Sequence, residues 1–321
     1  SISSIKYNAP RDYTSQDRAV TADDYKVLVK RLYANAKAVQ VYGGEDAATP
    51  EYGKVFISIK AKSGSNLTES TKASIVSSLK QFAVASVRPA IIDPETTFIT
   101  LDTTFKYDTT GTTKDSSTLA TDVLSVITNY NNDTLENFTG VFRYSKLLQL
   151  INEADTSILS NITTVKMYKT ITPTLNSALK YTVSFNNAFY NPHSGHNASG
   201  GGVISSTGFK INNDSSTNEH FLDDDGAGNL RVYYLSGTTR IYTDSTFGTV
   251  NYSTGEVVLT SANITSISNV DGAASTLFRV FAIPSSNDIV PVRNQVLQID
   301  TANSTINGDI DVVESGSSQA G

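Results

Sequence analysis

The stretch Asp17–Tyr33, DRAVTADDYKVLVKRLY, predicts a helix whose start and buried face are specified by its own residues. Thr21 is a suitable N-cap, because its hydroxyl can accept a hydrogen bond from an orphan amide of the first turn. Asp24 stands at the third helical position and completes a capping box, while Val20 and Tyr25 are spaced as a hydrophobic staple. Four apolar residues recur on one face: Tyr25, Leu28, Val29 and Leu32. The helix therefore needs a partner surface.

The residues after this helix supply such a surface. Two alternating strands follow, and their inward residues are Val39, Val41, Val55, Ile57 and Ile59. Thr68 then caps a second helix, whose apolar stripe consists of Ile75, Val76, Leu79, Phe82 and Ala83. Pro89 and Pro94 bracket a short connector before a long strand over residues 96–108. This order predicts a small α+β unit, in which helices cover one face of an antiparallel sheet.

A second unit of the same kind follows. Its first helix presents Leu119, Val123, Val126, Ile127 and Tyr130, and it ends near Asn131. Ser145 is the predicted N-cap of a further helix that presents Leu148 and Ile151. Two strands, at residues 162–173 and 177–190, complete this unit.

From Asn191 the chain changes character. Residues 191–208 are rich in Gly, Ser and Asn and predict a flexible loop. Four strands follow, in two pairs around Ser236-Gly237 and around Ser253–Gly255, where a Gly at the third turn position fits a bulged hairpin loop. Three more strands are predicted at residues 275–284, 293–300 and 307–313.

The sequence thus predicts an elongated, multidomain α+β chain, with two tandem α+β units followed by a β-rich domain. The predicted intervals are an N-terminal extension (1–16), the first unit (17–95), the second unit (96–190), the β-rich domain (191–300), and a C-terminal strand and tail (301–321). The final residues resemble a frayed terminus.

Composition excludes several classes of protein. The 321 residues carry a net charge of −6, and Lys and Arg are scattered rather than gathered into the basic stripe that nucleic acid requires. The absence of Cys excludes disulfides, thiolate catalysis and Cys-ligated zinc. No apolar run approaches the ~18 residues of a membrane span, and no signal peptide is visible. Because residue 1 is Ser and the only Met is Met167, we expect a fragment or a processed product.

Metal sites are not predicted. Asp223, Asp224 and Asp225 are consecutive, so their carboxylates point in different directions, and the later bidentate carboxylate of a calcium loop is missing. A polar turn between strands is the better interpretation of these three residues. His193 and His196 lie in the Gly-rich loop and His220 further on, which gives too few rigid ligands for zinc. We therefore expect surface histidines.

Catalytic and cofactor motifs are also missing. No G-x-S-x-G elbow is present, and GAGNLR places Arg231 where a dinucleotide-binding motif needs its last Gly. Asp23 and Asp24 are explained by the helix N-terminus, where negative charge complements the dipole. The sequence predicts no enzyme, no catalytic residue, no cofactor and no small-molecule substrate.

Aromatic residues are the more informative feature of the β-rich half. Tyr233, Tyr234 and Tyr242 fall on both faces of their strands, so one face either meets a partner protein or packs in a core. The same strands lie beside Asp- and Asn-containing loops, a combination that stacks on sugars and hydrogen-bonds to them. The alternative hypothesis is therefore a receptor- or glycan-binding tail protein. A cell-wall-degrading enzyme is a third possibility, which no motif supports.

The order of these motifs resembles the baseplate J-like proteins of contractile-tailed phages. Three segments carry the likeness: Asp17–Tyr25, the Pro-marked connector VRPAIIDPETTFITLDTTF at 87–105, and FRYSKLLQLINEADTSILSNITTVKMYK at 142–169. Asp17 stands where the family motif has Gly. The β-rich remainder is similar to the C-terminal part of the baseplate wedge proteins of T4-like phages. The resemblance covers roughly residues 17–185 and implies that this chain is the C-terminal fragment of a larger protein.

The resemblance implies a structural role in the virion. Copies of the chain would form a homodimer or a ring, because homotypic contacts close by symmetry. They would bind other wedge proteins in the tail baseplate, after assembly in the host bacterial cytoplasm, and would accommodate the change of shape when the tail contracts. The family implies no enzyme activity, no cofactor, no nucleic-acid partner and no membrane insertion.

Overall fold

The computed structural model describes residues 6, 18–47, 49–62, 66–84, 86–196, 202–212, 214, 218–270 and 272–312. Asp17, nearly all of the predicted N-terminal extension, part of the Gly-rich loop and the end of the C-terminal tail lie outside the described residues. The fold is mixed α+β, with few helices and many strands. The chain divides into two compact units. Unit 1 holds residues 1–96, 133–140 and 291–297, and unit 2 holds residues 97–132, 141–290 and 298–321.

Unit 1 contains the first predicted α+β module. Its elements are α1 (Ala22–Leu32), β1 (Ala36–Gly43), β2 (Lys54–Ala61), α2 (Glu69–Leu79) and β3 (Arg88–Ile92). The strands pair in the order β1–β2–β3, antiparallel between β1 and β2 but parallel between β2 and β3, so the predicted purely antiparallel sheet is wrong. Pro89, assigned from sequence to a connector, lies in β3 at the edge of this sheet, where a missing N–H costs no ladder bond.

Helix α1 begins as predicted. Thr21 accepts a hydrogen bond from the Asp24 amide, and the Asp24 carboxylate accepts one from the Thr21 amide at 2.8 Å, which completes the capping box. The predicted staple does not form as a buried contact, because Val20 is 68% exposed. The buried face also differs: Val27 is buried, whereas Leu32 is 36% exposed.

The core of unit 1 forms between these helices and the sheet. Strand register places Val39 opposite Ile59 and Val41 opposite Ile57, so the predicted inward residues meet across the pair. Thr68 caps α2 as predicted. The largest fully buried side chains of this core are Tyr25, Leu28, Ile57, Ile59 and Leu79.

Two helices belong to unit 2. Helix α3 (Ser116–Tyr130) buries the predicted Leu119, Val123, Ile127 and Tyr130, and a π-helical turn, Asn131–Leu135, follows it. Helix α4 (Tyr144–Asn152) begins one residue before the predicted cap, so Ser145 does not cap it. Asp288 caps it instead: its carboxylate accepts a hydrogen bond from the Tyr144 amide at 2.9 Å and pairs with Arg143 at 2.8 Å. The Arg143 pairing and the Tyr144 amide lower the pKa of Asp288.

A second sheet joins strands from distant parts of the sequence. Its members are β4 (Glu95–Tyr107), β5 (Ile158–Ile171), β7 (Ile204–Ser206), β13 (Phe278–Ala282), β14 (Gln295–Ile299) and β15 (Thr305–Ile310). They pair in the order β14–β4–β5–β13–β7, with β15 parallel to β4. Sequence order alone did not predict that β13 and β15, from the end of the chain, complete the sheet begun by β4 and β5.

The third sheet closes on itself. Its strands are β6 (Ala178–Ser184), β8 (Phe209–Ile211), β9 (His220–Asp224), β10 (Asn229–Ser236), β11 (Thr239–Asn251) and β12 (Glu256–Ile267). The order is β11–β10–β9–β8–β12, and β12 pairs back to β11, which makes a five-stranded ring. Strand β6 adds to β12 rather than to the second predicted unit. Four strands were predicted around Ser236-Gly237 and Ser253–Gly255. The second and third of them form one strand, because β11 is continuous through Gly248.

Candidate interaction surfaces

Asp223 is the centre of a charge network on the ring. Its side chain, on β9, is 1% exposed and accepts hydrogen bonds from three donors on β10 and β11. The donors are Arg231 Nε at 2.9 Å, Arg240 Nη1 at 2.8 Å and the Tyr242 hydroxyl at 2.8 Å. The two guanidinium groups also stack on rings, Arg231 at 4.4 Å over Tyr242 and Arg240 at 4.6 Å over Tyr233. This network links three strands through one carboxylate.

Asp224 faces a different set of groups. Its Oδ1 accepts a hydrogen bond from the Ile204 amide at 2.8 Å, and its Oδ2 accepts one from the Tyr252 hydroxyl at 2.6 Å. Burial raises the pKa of Tyr252, and the contact with Asp224 raises it further. The Tyr252 hydroxyl therefore stays protonated and donates to Asp224. This bond holds the turn between β11 and β12 beside β9.

Asp225 alone fits the predicted polar turn. It accepts hydrogen bonds from the Ala227 amide and from the Asn229 amide and side chain, and despite the opposing effect of burial these bonds lower its pKa. For Asp223 and Asp224 the turn prediction is wrong, because both are buried in β9. The three carboxylates do point in different directions. Among the described residues no group of three or more His, Asp or Glu side chains is placed to hold a metal ion.

The histidines occupy two environments. His193 and His196 are exposed, as predicted, and their rings meet with His193 Nε2 and His196 Nδ1 3.4 Å apart. His220 is fully buried in the ring, so the surface prediction is wrong for this residue. Its Nδ1 lies 3.0 Å from the Asn218 carbonyl and its Nε2 lies 3.2 Å from the Asp214 carboxylate.

A groove of about 350 Å³ lies within unit 1, and we call it the lysine groove. It is lined by Asp23, Lys26, Val27 and Lys30 of α1, by residues 37–39 of β1, and by residues 137–139. Lys26 pairs with Asp23 at 3.0 Å, and Lys37 pairs with Glu136. Lys30 is exposed and makes no ion pair within the described part of the chain.

Helix α1 lines this groove with its second face. Positions 23, 26, 27 and 30 recur at helical spacing beside the stripe of Tyr25, Leu28 and Val29 that packs into the core. Val27, which was not predicted to be buried, lies on this second face. Sequence analysis missed the groove, although the spacing of Lys26, Val27 and Lys30 was visible; the contribution of residues 137–139 was not.

The groove lining carries more positive than negative side chains. Burial lowers the pKa of Lys60, the positive charge of Lys37 adds to this effect, and the negative charge of Glu136, which pairs with Lys37, opposes it. The groove lining itself holds three lysines and one aspartate. This local excess of positive charge contrasts with the net charge of −6 for the whole chain.

No helix in the described part of the chain is both long enough and apolar enough to cross a membrane.

Two consecutive segments of the chain match family models of baseplate proteins. Residues 21–92 match the C-terminal domain I of the baseplate structural protein gp6, and residues 95–170 match its C-terminal domain III. The first match begins at the Thr21 cap and ends with β3, and the second begins with β4 and ends in β5. These matches support a relationship with the baseplate wedge proteins.

One curated relative agrees with this relationship in name. The chain is 30% identical over 158 residues to the baseplate wedge protein gp6 of Enterobacteria phage T4, which covers 49% of this chain and 23% of that protein. The chain thus spans less than a quarter of the relative's length. A cryo-EM structure of the anti-feeding prophage baseplate aligns with a TM-score of 0.37 and 13% identity, over 51% of this chain and 37% of that one, a likeness too low to carry an argument.

Proposed function

We propose that this chain is a non-enzymatic structural component of a contractile-tail baseplate wedge. One observation carries the proposal: two segments that match gp6 domain models follow each other directly, over residues 21–92 and 95–170. The relative of phage T4 supports the same role. We further propose that the chain is related to the baseplate J-like proteins and that its domains follow the intervals predicted from the sequence.

The construction of the units is suited to such a role. Unit 1 has its own apolar core, and the closed ring of unit 2 is tied together by the Asp223 network. Modules with separate cores can move as rigid bodies while their contact surfaces stay intact. We propose that copies of this chain contact one another and other wedge proteins in the baseplate of the virion, that they assemble in the host cytoplasm, and that they accommodate tail contraction.

Co-purification and sedimentation test this proposal together. The tagged chain should recover other baseplate proteins from a lysate of phage-producing cells, and sedimentation velocity at micromolar concentrations should show a species larger than a monomer. A strict monomer that recovers no baseplate protein would contradict the proposed role.

Two contacts weigh against the glycan-binding alternative. Of its three tyrosines, Tyr233, Tyr234 and Tyr242, the first and the last carry the guanidinium groups of Arg240 and Arg231 on their faces. A sugar ring would have to displace these groups from their bonds to Asp223. We expect a glycan array to show no selective binding, and a selective signal abolished by Tyr242→Ala would restore this alternative.

A further inference from the structure

We propose that the lysine groove is a docking site for an acidic segment of a partner protein, in which carboxylates flank one apolar side chain. The proposal concerns this surface alone and holds whether or not the chain works in a baseplate.

The floor of the groove is apolar. Val27 and Phe138 are buried beneath it, at 9% and 8% exposure, and Val39 is half-buried beside them. A volume of about 350 Å³ accommodates one large apolar side chain with its flanking backbone. An apolar anchor in such a pocket is the feature that makes a contact contribute most to affinity.

The rim of the groove is cationic. The Lys26 side chain is 40% exposed, Lys30 is exposed, and the Lys37 side chain retains 25% exposure. Lys26 pairs with Asp23 and Lys37 pairs with Glu136, which lies just outside the lining, so Lys30 supplies the excess positive charge in the described part of the groove. Lysine stems can lie along an apolar surface while the ammonium groups reach solvent, so the floor and rim can be engaged by the same ligand.

A phosphate ligand or nucleic acid fits this lining less well than a carboxylate segment. The lining holds no arginine, whose planar guanidinium suits bidentate contacts to phosphate. Asp23 stands among the lysines and would repel a dense negative charge. The apolar floor has no use for a phosphate backbone, whereas a protein segment supplies both carboxylates and an apolar side chain.

The wall opposite α1 is held in place before any ligand binds. Asn137 Oδ1 accepts hydrogen bonds from the Thr139 amide and hydroxyl, both at 2.9 Å, and its Nδ2 donates to the Thr134 carbonyl at 2.6 Å. The ion pair between Glu136 and Lys37 fixes the same segment to β1. A preformed groove avoids the entropy cost of ordering a loop upon binding.

Fluorescence anisotropy with labelled peptides tests the proposal on the full chain. The probe is a short peptide with one phenylalanine between two pairs of glutamates, and its matched control carries glutamine in place of each glutamate. We expect the glutamate peptide to bind roughly tenfold more tightly, with affinity that falls as salt is added. Equal binding of the two peptides, or preference for a short DNA duplex over the glutamate peptide, would overturn the proposal.

Two double variants locate the binding. Lys26→Glu with Lys30→Glu should abolish binding of the glutamate peptide, and Lys26→Gln with Lys30→Gln should weaken it by a smaller factor. The matched control, Lys166→Glu with Lys180→Glu, makes the same change in net charge at exposed positions of unit 2 and should bind as the unaltered chain does. Circular dichroism verifies that each variant is folded. Equal losses in the control and groove variants would show that only net charge matters and would refute the site.

Discussion

Unit 1 and the five-stranded ring of unit 2 are stabilised by different interactions. In unit 1, α1 and α2 place apolar side chains such as Leu28 and Leu79 against the sheet. The buried cation described there, Lys72, pairs with the more exposed carboxylates of Glu69 and Asp93. The ring buries Asp223, Asp224 and Arg231 as well as apolar residues. Apolar contacts are non-directional, whereas buried ionic bonds depend on each partner being in place.

This difference bears on how each region responds to damage. A truncated apolar side chain leaves a cavity, and the cost depends on how far the surroundings can relax. Removal of one buried charge leaves its partners unpaired in a medium that solvates them poorly. We therefore expect the ring to be the region most sensitive to single polar substitutions, and unit 1 to be most sensitive to loss of apolar volume.

The largest effect is expected for Asp223→Ala. The substitution leaves Arg231, at 8% exposure, and Arg240 without their shared carboxylate. Breaking a buried pair from one side costs about 3–5 kcal/mol. Hydrogen exchange resolved by segment should show the loss in β9, β10 and β11 and leave unit 1 unchanged. Asp309→Ala, an exposed aspartate on β15, is the control and should change stability by less than about 0.5 kcal/mol.

An Asp223→Ala chain as stable as the unaltered one would contradict this comparison. It would mean that the ring's apolar interior, with residues such as Leu222 and Val232, supplies enough stability without the network.

Leu28→Ala tests the apolar half of the comparison. Leu28 is fully buried in the core of unit 1, so its truncation should cost about 3 kcal/mol. Leu32→Ala, on the same helix, is the matched control, because Leu32 is 36% exposed and its loss should cost less than about 1 kcal/mol. Urea unfolding followed by circular dichroism, with hydrogen exchange in α1, measures both. Similar costs for the two leucines would argue that α1 is not anchored through Leu28.

Gly255→Ala probes the turns that close the ring. Gly255, between β11 and β12, has φ +70°, and a Cβ there would lie 2.0 Å from the Asn187 carbonyl oxygen. Backbone strain and the clash together should cost about 2 kcal/mol or more. Gly237, between β10 and β11, has φ +62° but open space around the site of a Cβ, so Gly237→Ala isolates the strain and should cost about 1 kcal/mol. Thermal unfolding distinguishes them, and equal shifts would mean that Asn187 moves aside freely.

The same division explains what sequence could predict. The capping box of α1, the inward residues of β1 and β2 and the glycine turn at Gly255 depend on residues close in sequence, and all three were predicted correctly. Asp288 caps α4 from 144 residues away, and no pattern near Ser145 signals it. Likewise, the pairing of β15 with β4 and the closure of β12 onto β11 are long-range choices that alternation does not encode.

The candidate sites follow this division as well. The aspartates at 223–225 were recognised as consecutive and divergent, but the burial of Asp223 was not, because it goes with Arg231 and Arg240, whose approach is set by strand register. Half of the lysine groove was visible as a second helical stripe on α1. The other half comes from residues 137–139, which no local pattern brings beside β1.

The smallest expected change in stability concerns an ion network around Lys114 in unit 2. This network is more exposed than the Asp223 network, so it tests how burial affects the strength of an ion pair. Lys114 donates to Asp122 at 2.8 Å and to Asp155 at 2.7 Å, and the Lys114 side chain is 42% exposed. The Lys114 ammonium, with the amide and hydroxyl of Ser157, lowers the pKa of Asp155 from 3.8 to about 2. The unfolded chain therefore binds a proton more readily than the folded one between these two values. The stability that Asp155 contributes is complete above pH 3.8 and is lost as the pH falls through about 2.

Asp155→Asn should flatten this part of the pH profile. The Asn side chain can still accept from Ser157, so the variant removes the titrating charge while it keeps the turn. Urea unfolding at several pH values from 5 down to about 2 should show a shallower fall in the free energy of unfolding for the variant, so that the two chains differ most above pH 3.8 and converge near pH 2. The difference should be small throughout, because the Lys114 side chain is 42% exposed and solvent screens its ion pairs. Glu153→Gln is the control, since this exposed carboxylate accepts a hydrogen bond from the neutral Gln149 side chain at 2.7 Å and pairs with no cation among the described residues. Parallel profiles for Asp155→Asn and the unaltered chain would show that this network does not distinguish the folded from the unfolded state, and would leave burial as the property that separates it from the Asp223 network.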